Sequence, residues 1–324
     1  MPRLKTLPGA LAAIACAVGA PAFAWAPEGH TVIARVAVGK LSSQAGIDLQ
    51  WILSVGIPAL NARMPEGKCQ IDASAPWGPV PDFRIDKDMH TNLANWPDCW
   101  RTVTAATRFW HFDDIPLGDS PSGPLAATGQ TWCAKGCVSK ALADNLQSLA
   151  SGTLAPADAA MALAFVVHFV GDIHQPLHAE DNNGDAGGTL VRITTDGAGV
   201  AADNMHILWD DPLVSAALGS DLDAATMQVA NDVAAAPADW TAGTDTVSGV
   251  IQVSDIWVEE AHALAQQAYA GLNIAVNAGP VSQIAVTKDY VGLEAPVVEG
   301  QLDRAAVRLS AALNAALTWA PPTQ

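Results

Sequence analysis

The stretch AFVVHFVGDIHQPLHAEDNNGDAGG, Ala164–Gly188, sets His168, Asp172, His174 and His178 at the end of an apolar run. His168 and Asp172 are four positions apart, so a helix projects both from one face, one turn above the other. A buried carboxylate with no partner is very costly, and a metal ion is the simplest partner for such a pair. Pro176 has no N–H and clashes with the carbonyl four residues back, so the helix ends or kinks just before it. That break lets His178 turn back toward the same site. His174, two positions from Asp172 and on the opposite face, reads as a structural core histidine.

Outward from this stretch the patterning is mostly helical. Val138–Leu149 and Asp158–Ile173 read as helices, the second entered through the start signals Pro156 and Asp158. Thr189–Thr195 alternates and runs into Asp196-Gly197, a small hairpin signal. NMHILWDDP (Asn204–Pro212) then supplies a second pair at four-residue spacing, His206 and Asp210. Val253–Leu272 and Val297–Leu317 carry helical periodicity. Toward the other end, WAPEGH (Trp25–His30) leads into the amphipathic pattern TVIARVAVGKL. Between Ile57 and Trp110 the chain is rich in proline and tryptophan and has little periodicity, which predicts long loops around short helices; Gly118–Gly136 reads as loop. The fold class is therefore mostly α, a single multi-helix domain with a minor β hairpin. No linker divides residues 25–324.

The net charge is −17 with only 15% charged residues in 324. Such a chain does not bind nucleic acid or an anionic membrane through a basic patch. A polyanionic substrate has to be met by metal cations instead. Residues 1–24 read as a secretory signal: Arg3 and Lys5 form the basic region, Leu11–Val18 the apolar core and Ala22-Phe23-Ala24 the cleavage site. The apolar run is too short for a membrane anchor. Export, to a periplasm or the medium, is expected, without stable membrane association. Cys16 leaves with the signal, and Cys69, Cys99, Cys133 and Cys137 remain, an even number that implies two disulfides in an exported chain. Three pairings are possible; Cys133–Cys137 closes a tight loop, which favours Cys69–Cys99 as the other.

The candidate ligands are His30, Asp82, His111, His168, Asp172, His178, His206 and Asp210. Imidazole with carboxylate suits zinc, and so large a set exceeds what one four-coordinate ion needs. Clustered zinc ions are the usual apparatus for hydrolysing phosphate esters. The motifs resemble those of the secreted single-strand-specific nucleases with three zinc ions, the S-one/P-one type, cousins of zinc-dependent phospholipase C. WAPEGH, WHFDDIP (Trp110–Pro116), HFVGDIHQPLH with its following DAGG, and NMHILWD carry that resemblance, which covers essentially the whole mature chain.

The resemblance implies three zinc ions per chain. One would be held by Asp82, His111, His168 and Asp172, and a second by His178, His206 and Asp210. The third would take the α-amino group and carbonyl of Trp25, with His30 and the other oxygen of Asp172, which thus bridges two ions. The implied activity is hydrolysis of single-stranded RNA and DNA to 5′-phosphate products, with removal of phosphate from 3′-nucleotides, by a monomer. Phe112 matches the aromatic that stacks a base and Asp114 the carboxylate that hydrogen-bonds it; an exposed ring can stack only an unpaired base. A phospholipase C is the alternative, as is an inactive zinc-binding relative, and Asp114 argues against the lipase. The chain departs from the family pattern at one telling place. A basic residue is expected three positions after Asp82 to steady the transition state, but Ile85 stands there and Arg84 is one step early, so Arg84, or failing it Lys87, takes the role.

Overall fold

Proline opens two of the helices that carry the site. Its fixed φ suits a first helical position, where the missing N–H costs nothing. In a computed structural model, described over residues 25–80, 90–121 and 131–319, Pro27 starts α1 (Pro27–Val38) and Pro156 starts α6 (Pro156–Ile173). The export signal and Asp82, Arg84 and Lys87 lie outside the described residues.

From Ala162 to Ile173 every side chain of α6 is buried. This helix has the length and apolarity of a membrane span, but it is enclosed by protein: α1, α4 (Trp96–Val103), α5 (Val138–Ala150), α10 (Val247–Gly271) and α11 (Lys288–Ala316) all pack against it. A bent helix does so as well, with α2 (Ser43–Trp51) passing through a π turn at Ile52–Gly56 into α3 (Ile57–Asn61). Pro58 explains the widened turn, because it offers no N–H to the carbonyl of Ser54 and its ring pushes that carbonyl away. At Gly56 a Cβ would stand 2.8 Å from the Pro156 carbonyl oxygen, so the close approach of the bend to the start of α6 needs glycine.

The expected helices are present, two of them extended upstream: α10 begins at Val247, where Thr246 caps it, and not at Val253, and α11 begins well before Val297. The periodicity beginning at Val297 predicts a start after Pro296, but α11 runs through that proline from Lys288. The helix is capped upstream by Thr287, whose side chain accepts the Tyr290 N–H, and Tyr290, Val291 and Ala295 bury on the core side. Their burial outweighs the one lost hydrogen bond. The turn at Asp196-Gly197 is also present, closed by a single antiparallel bridge between Arg192 and Asn204. The ladder beside it is not a hairpin, however: Ile193–Thr194 pairs in parallel with Ile284–Ala285. A second short parallel pair joins Gln70–Ile71 to His90–Thr91.

The favoured disulfides form, Cys69–Cys99 and Cys133–Cys137. Such bonds persist in oxidising compartments and fit an exported protein. Cys99 lies on α4, so the first bond holds that helix over α6.

Candidate metal centre

The centre is assembled where α6 meets α1 and α4. His168 and Asp172 project from one face of α6, as their spacing requires. Asp172 divides its oxygens. Oδ1 lies 3.4 Å from Nε2 of His30, which comes from α1. Oδ2 lies 3.0 Å from Nδ1 of His111 and 3.4 Å from Nε2 of His168. This close packing depends on Gly171, where a Cβ would meet the His30 ring at 2.5 Å.

A carboxylate not foreseen from the sequence completes this half. Asp98 of α4 places Oδ1 3.6 Å from Nδ1 of His111 and 3.7 Å from Nε2 of His168. Asp82, expected to serve in this half, lies outside the described residues. Arg101, three positions later, sets its Nε 3.1 Å from the same Asp98 oxygen, with its guanidinium 5.7 Å from the centre of the Phe112 ring. Asp98-x-x-Arg101 therefore has the acid-then-base spacing that Asp82 lacks, and that spacing was the readable signal.

The other half grows from the Pro176 break. The 3₁₀ turn Pro176–Ala179 swings His178 back, as expected. Asn204 caps α7 (Met205–Asp210) by accepting the Ile207 N–H, so His206 and Asp210 share a face. Their nearest atoms, Nε2 and Oδ2, are 3.2 Å apart. Ligand atoms of His178, His206 and Asp210 all lie within 4.8 Å of one another, as do those of His111, His168 and Asp172, and those of His30, Asp98 and His168.

Backbone carbonyls fix the tautomers, since a carbonyl can only accept and the facing nitrogen must donate. His168 Nδ1 donates to Ala94, His178 Nδ1 to His111 and His206 Nδ1 to Gly187. Each leaves Nε2 facing the cluster. For His178 and His206 that nitrogen has no hydrogen-bond partner, and the same holds for both nitrogens of His30, Nε2 of His111, and Oδ1 of Asp172. Buried polar atoms left without partners are rare. A cluster of them, all imidazole and carboxylate, has the donor set of a zinc site.

Electrostatics say the same. Burial pushes the imidazoles of His30, His111 and His178 well down and His206 to about 4. Burial also pushes the Asp172 and Asp210 carboxyls well up. For His168, burial acts downward but Asp172 and Asp98 outweigh it, and the net direction is up. Neutral imidazoles beside carboxylates that resist ionising are groups a cation would stabilise.

The remaining assignments separate cleanly. Trp25 is buried, its indole N–H donating to the Gly171 carbonyl at 2.9 Å, and the next N–H, of Ala26, donates to the Asp210 carbonyl at 2.6 Å. The Trp25 segment is thereby tied to both halves. The Phe112 ring is partly exposed, 4.6 Å from the His178 ring. Asp113 turns inward to the Ser139 hydroxyl, and burial pushes its carboxyl up to about 7. Asp114 faces outward; crowding by protein and Asp181 push it up to about 6 against the pull of Lys135. His174 is structural, as expected: Nδ1 donates to Val170 and Nε2 accepts from Arg308.

Comparison with known proteins agrees with this geometry. The family model described as S1/P1 Nuclease matches residues 25–318. Nuclease S1 of Aspergillus oryzae is 27% identical over 234 residues, 69% of this chain and 77% of that protein. Nuclease P1 of Penicillium citrinum is 28% identical over 183 residues, 53% of this chain and 66% of that protein. Endonuclease 2 of Arabidopsis thaliana is 24% identical over 302 residues, 90% of this chain and 89% of its own length.

Proposed function

Because the chain belongs to the S1/P1 nuclease family and is therefore a nuclease, a hydrolase of ester bonds, we propose that it is an exported, monomeric zinc enzyme that cuts single-stranded RNA and DNA. Its products carry 5′-phosphates, and it also removes phosphate from 3′-mononucleotides. One observation carries the reading: buried, unpartnered imidazole and carboxylate atoms converge around Asp172, whose two oxygens face different histidines.

Three zinc ions fit the donor set. His111, His168, Asp172 and Asp98 would hold the first, with Asp98 in the role the sequence had suggested for Asp82. His178, His206 and Asp210 would hold the second. His30, Asp172 and the amine and carbonyl of Trp25 would hold the third. Zinc so held supplies Lewis acidity at the phosphoryl oxygens and a water made acidic enough to attack near neutral pH.

The chain's own residues do the rest. Asp172 fixes the spacing of the two groups it joins. Arg101, steadied by Asp98, presents a positive charge beside Phe112, where phosphoryl charge builds in the transition state; it takes the role expected of Arg84. Phe112 offers a ring face to one base, and Asp114 accepts a hydrogen bond from that base's edge. A paired base cannot reach the ring, hence the single-strand preference. With a net charge of −17, affinity for the polyanion comes from the metals and Arg101.

The test measures zinc per chain and compares acid-soluble nucleotide released from denatured and duplex DNA, with phosphocholine release from lecithin as the control. Zinc at three per chain with preferential digestion of denatured DNA is expected. A protein that takes up no zinc, or that releases phosphocholine and leaves DNA intact, overturns the proposal.

A further inference from the structure

Gln175 sits at the break between α6 and the His178 turn and is fully buried. All its polar groups are engaged. Its backbone N–H donates to the Asp172 carbonyl at 3.0 Å, and its carbonyl accepts the His178 N–H at 2.9 Å. Its side-chain Oε1 accepts the Leu177 N–H at 2.6 Å. Its side-chain Nε2 donates to Oδ1 of Asp210 at 2.7 Å. One residue is thus bonded to two candidate ligands through its main chain and to a third through its amide.

The orientation of that amide is forced. Leu177 offers an N–H, so the oxygen must face it, and the NH₂ must then face Asp210. The consequence falls on the Asp210 carboxylate. With Oδ1 held by Gln175, Oδ2 is the oxygen left toward Nε2 of His206, 3.2 Å away. An amide N–H can only donate, so Oδ1 is committed as the acceptor of this bond.

We infer that Gln175 is the positioning residue for Asp210: it fixes which carboxylate oxygen is presented to the ion. The inference rests on the reading that His178, His206 and Asp210 hold a zinc ion.

Gln175→Glu tests it. The glutamate keeps an oxygen for the Leu177 N–H but sets an acidic oxygen against Asp210 in place of the donor. Zinc affinity is read by titrating the loaded protein with a competing chelator, and the melting temperature of the metal-free protein is read in parallel. One ion should be lost about 10- to 100-fold more readily, the range usual when a ligand loses its hydrogen-bond partner, with the other ions held as before. The metal-free melting temperature should stay near that of the wild type. Gln175→Met, which removes the donor without adding charge, should show the same selective loss, and it stands in if the glutamate variant does not fold. Equal zinc affinity in wild type and variant overturns this inference alone. So does a parallel collapse of the metal-free fold in both variants, which marks a merely structural role. Failure of the wild type to bind zinc overturns the reading beneath it.

Discussion

Oδ1 of Asp98 lies 3.7 Å from Nε2 of His168, and the two residues reach each other from different helices, α4 and α6. The next residue, Cys99, is bonded to Cys69, so the carboxylate is delivered by a helix that is covalently pinned. Asp98→Asn should therefore lose one zinc ion and fall at least 100-fold in turnover on denatured DNA, as removal of a ligand demands. Asp82→Asn should keep both zinc and activity. Metal analysis of the two variants side by side decides between the carboxylates.

Asp98 is hard to read from sequence for a physical reason. His168 and Asp172 announce themselves because four-residue spacing on an apolar helix is a local property. Asp98 lies in WPDCWR, where proline, tryptophans and a cysteine leave no period to follow, and its partners are remote in sequence. Only the basic residue three places on marks it. The same contrast holds for the fold: α5, α6 and the body of α10 show in their own periodicity, whereas the passage of α11 through Pro296 is decided by what packs around it. Gln175 belongs with the remote cases. Nothing in HQPLH says that its amide faces Asp210, since that contact exists only once α7 is docked.

Trp25 gives a second prediction. Its indole hangs from the Gly171 carbonyl, next to Asp172, which suits the residue's own amine and carbonyl to the ion shared with His30. An amine binds metal only when deprotonated, and a free α-amino group titrates at about 7.7–8.0, so occupancy of that ion should rise with pH through the neutral range. A form extended at the N-terminus by a tag should retain two zinc ions and lose most activity. Three ions and normal turnover in the tagged form would falsify the Trp25 assignment.

Phe112 should act on substrate and not on metal. Its ring touches that of His178 but offers no ligand atom. Stacking on an aromatic is worth about 1–3 kcal/mol per base, so Phe112→Ala should raise KM for denatured DNA on the order of tenfold. Zinc content should be unchanged, and the gap between denatured and duplex substrate should narrow. Steady-state kinetics on both substrates checks this; a loss of zinc would show that the ring is needed to hold the site together.

The Cys69–Cys99 bond spans a sequence separation of 30. Closing a loop of that size in the unfolded chain corresponds to about 3–4 kcal/mol. Replacing both cysteines by serine should lower stability by about that much, and zinc affinity should fall with it because Asp98 rides on the same helix. The Cys133–Cys137 bond closes a much shorter loop, so its loss should cost less and leave zinc affinity nearly intact. Denaturant unfolding of the two double variants ranks them; the reverse order would separate the disulfide from the metal centre.

Asp303 makes the pH dependence of folding testable away from the metals. It lies buried on α11, and Oδ1 has no hydrogen-bond partner. Burial pushes its carboxyl up to about 7, with Asp232 and Glu299 adding to the rise and Arg304 opposing it. A carboxyl whose pKa is raised on folding favours the native state while it is protonated. That contribution is complete below the ordinary carboxylate range near pH 4 and is lost as pH climbs through about 7. Asp303→Asn holds the site neutral at every pH. The melting temperature of the variant relative to wild type should therefore increase between about pH 4 and about pH 7, with the two proteins nearly equal at the acid end and the difference level above that range. Taking the difference at each pH cancels any change in zinc occupancy common to both. A difference that stays flat, or that shrinks toward pH 8, would mean that Asp303 is already ionised and satisfied in the native fold at acid pH.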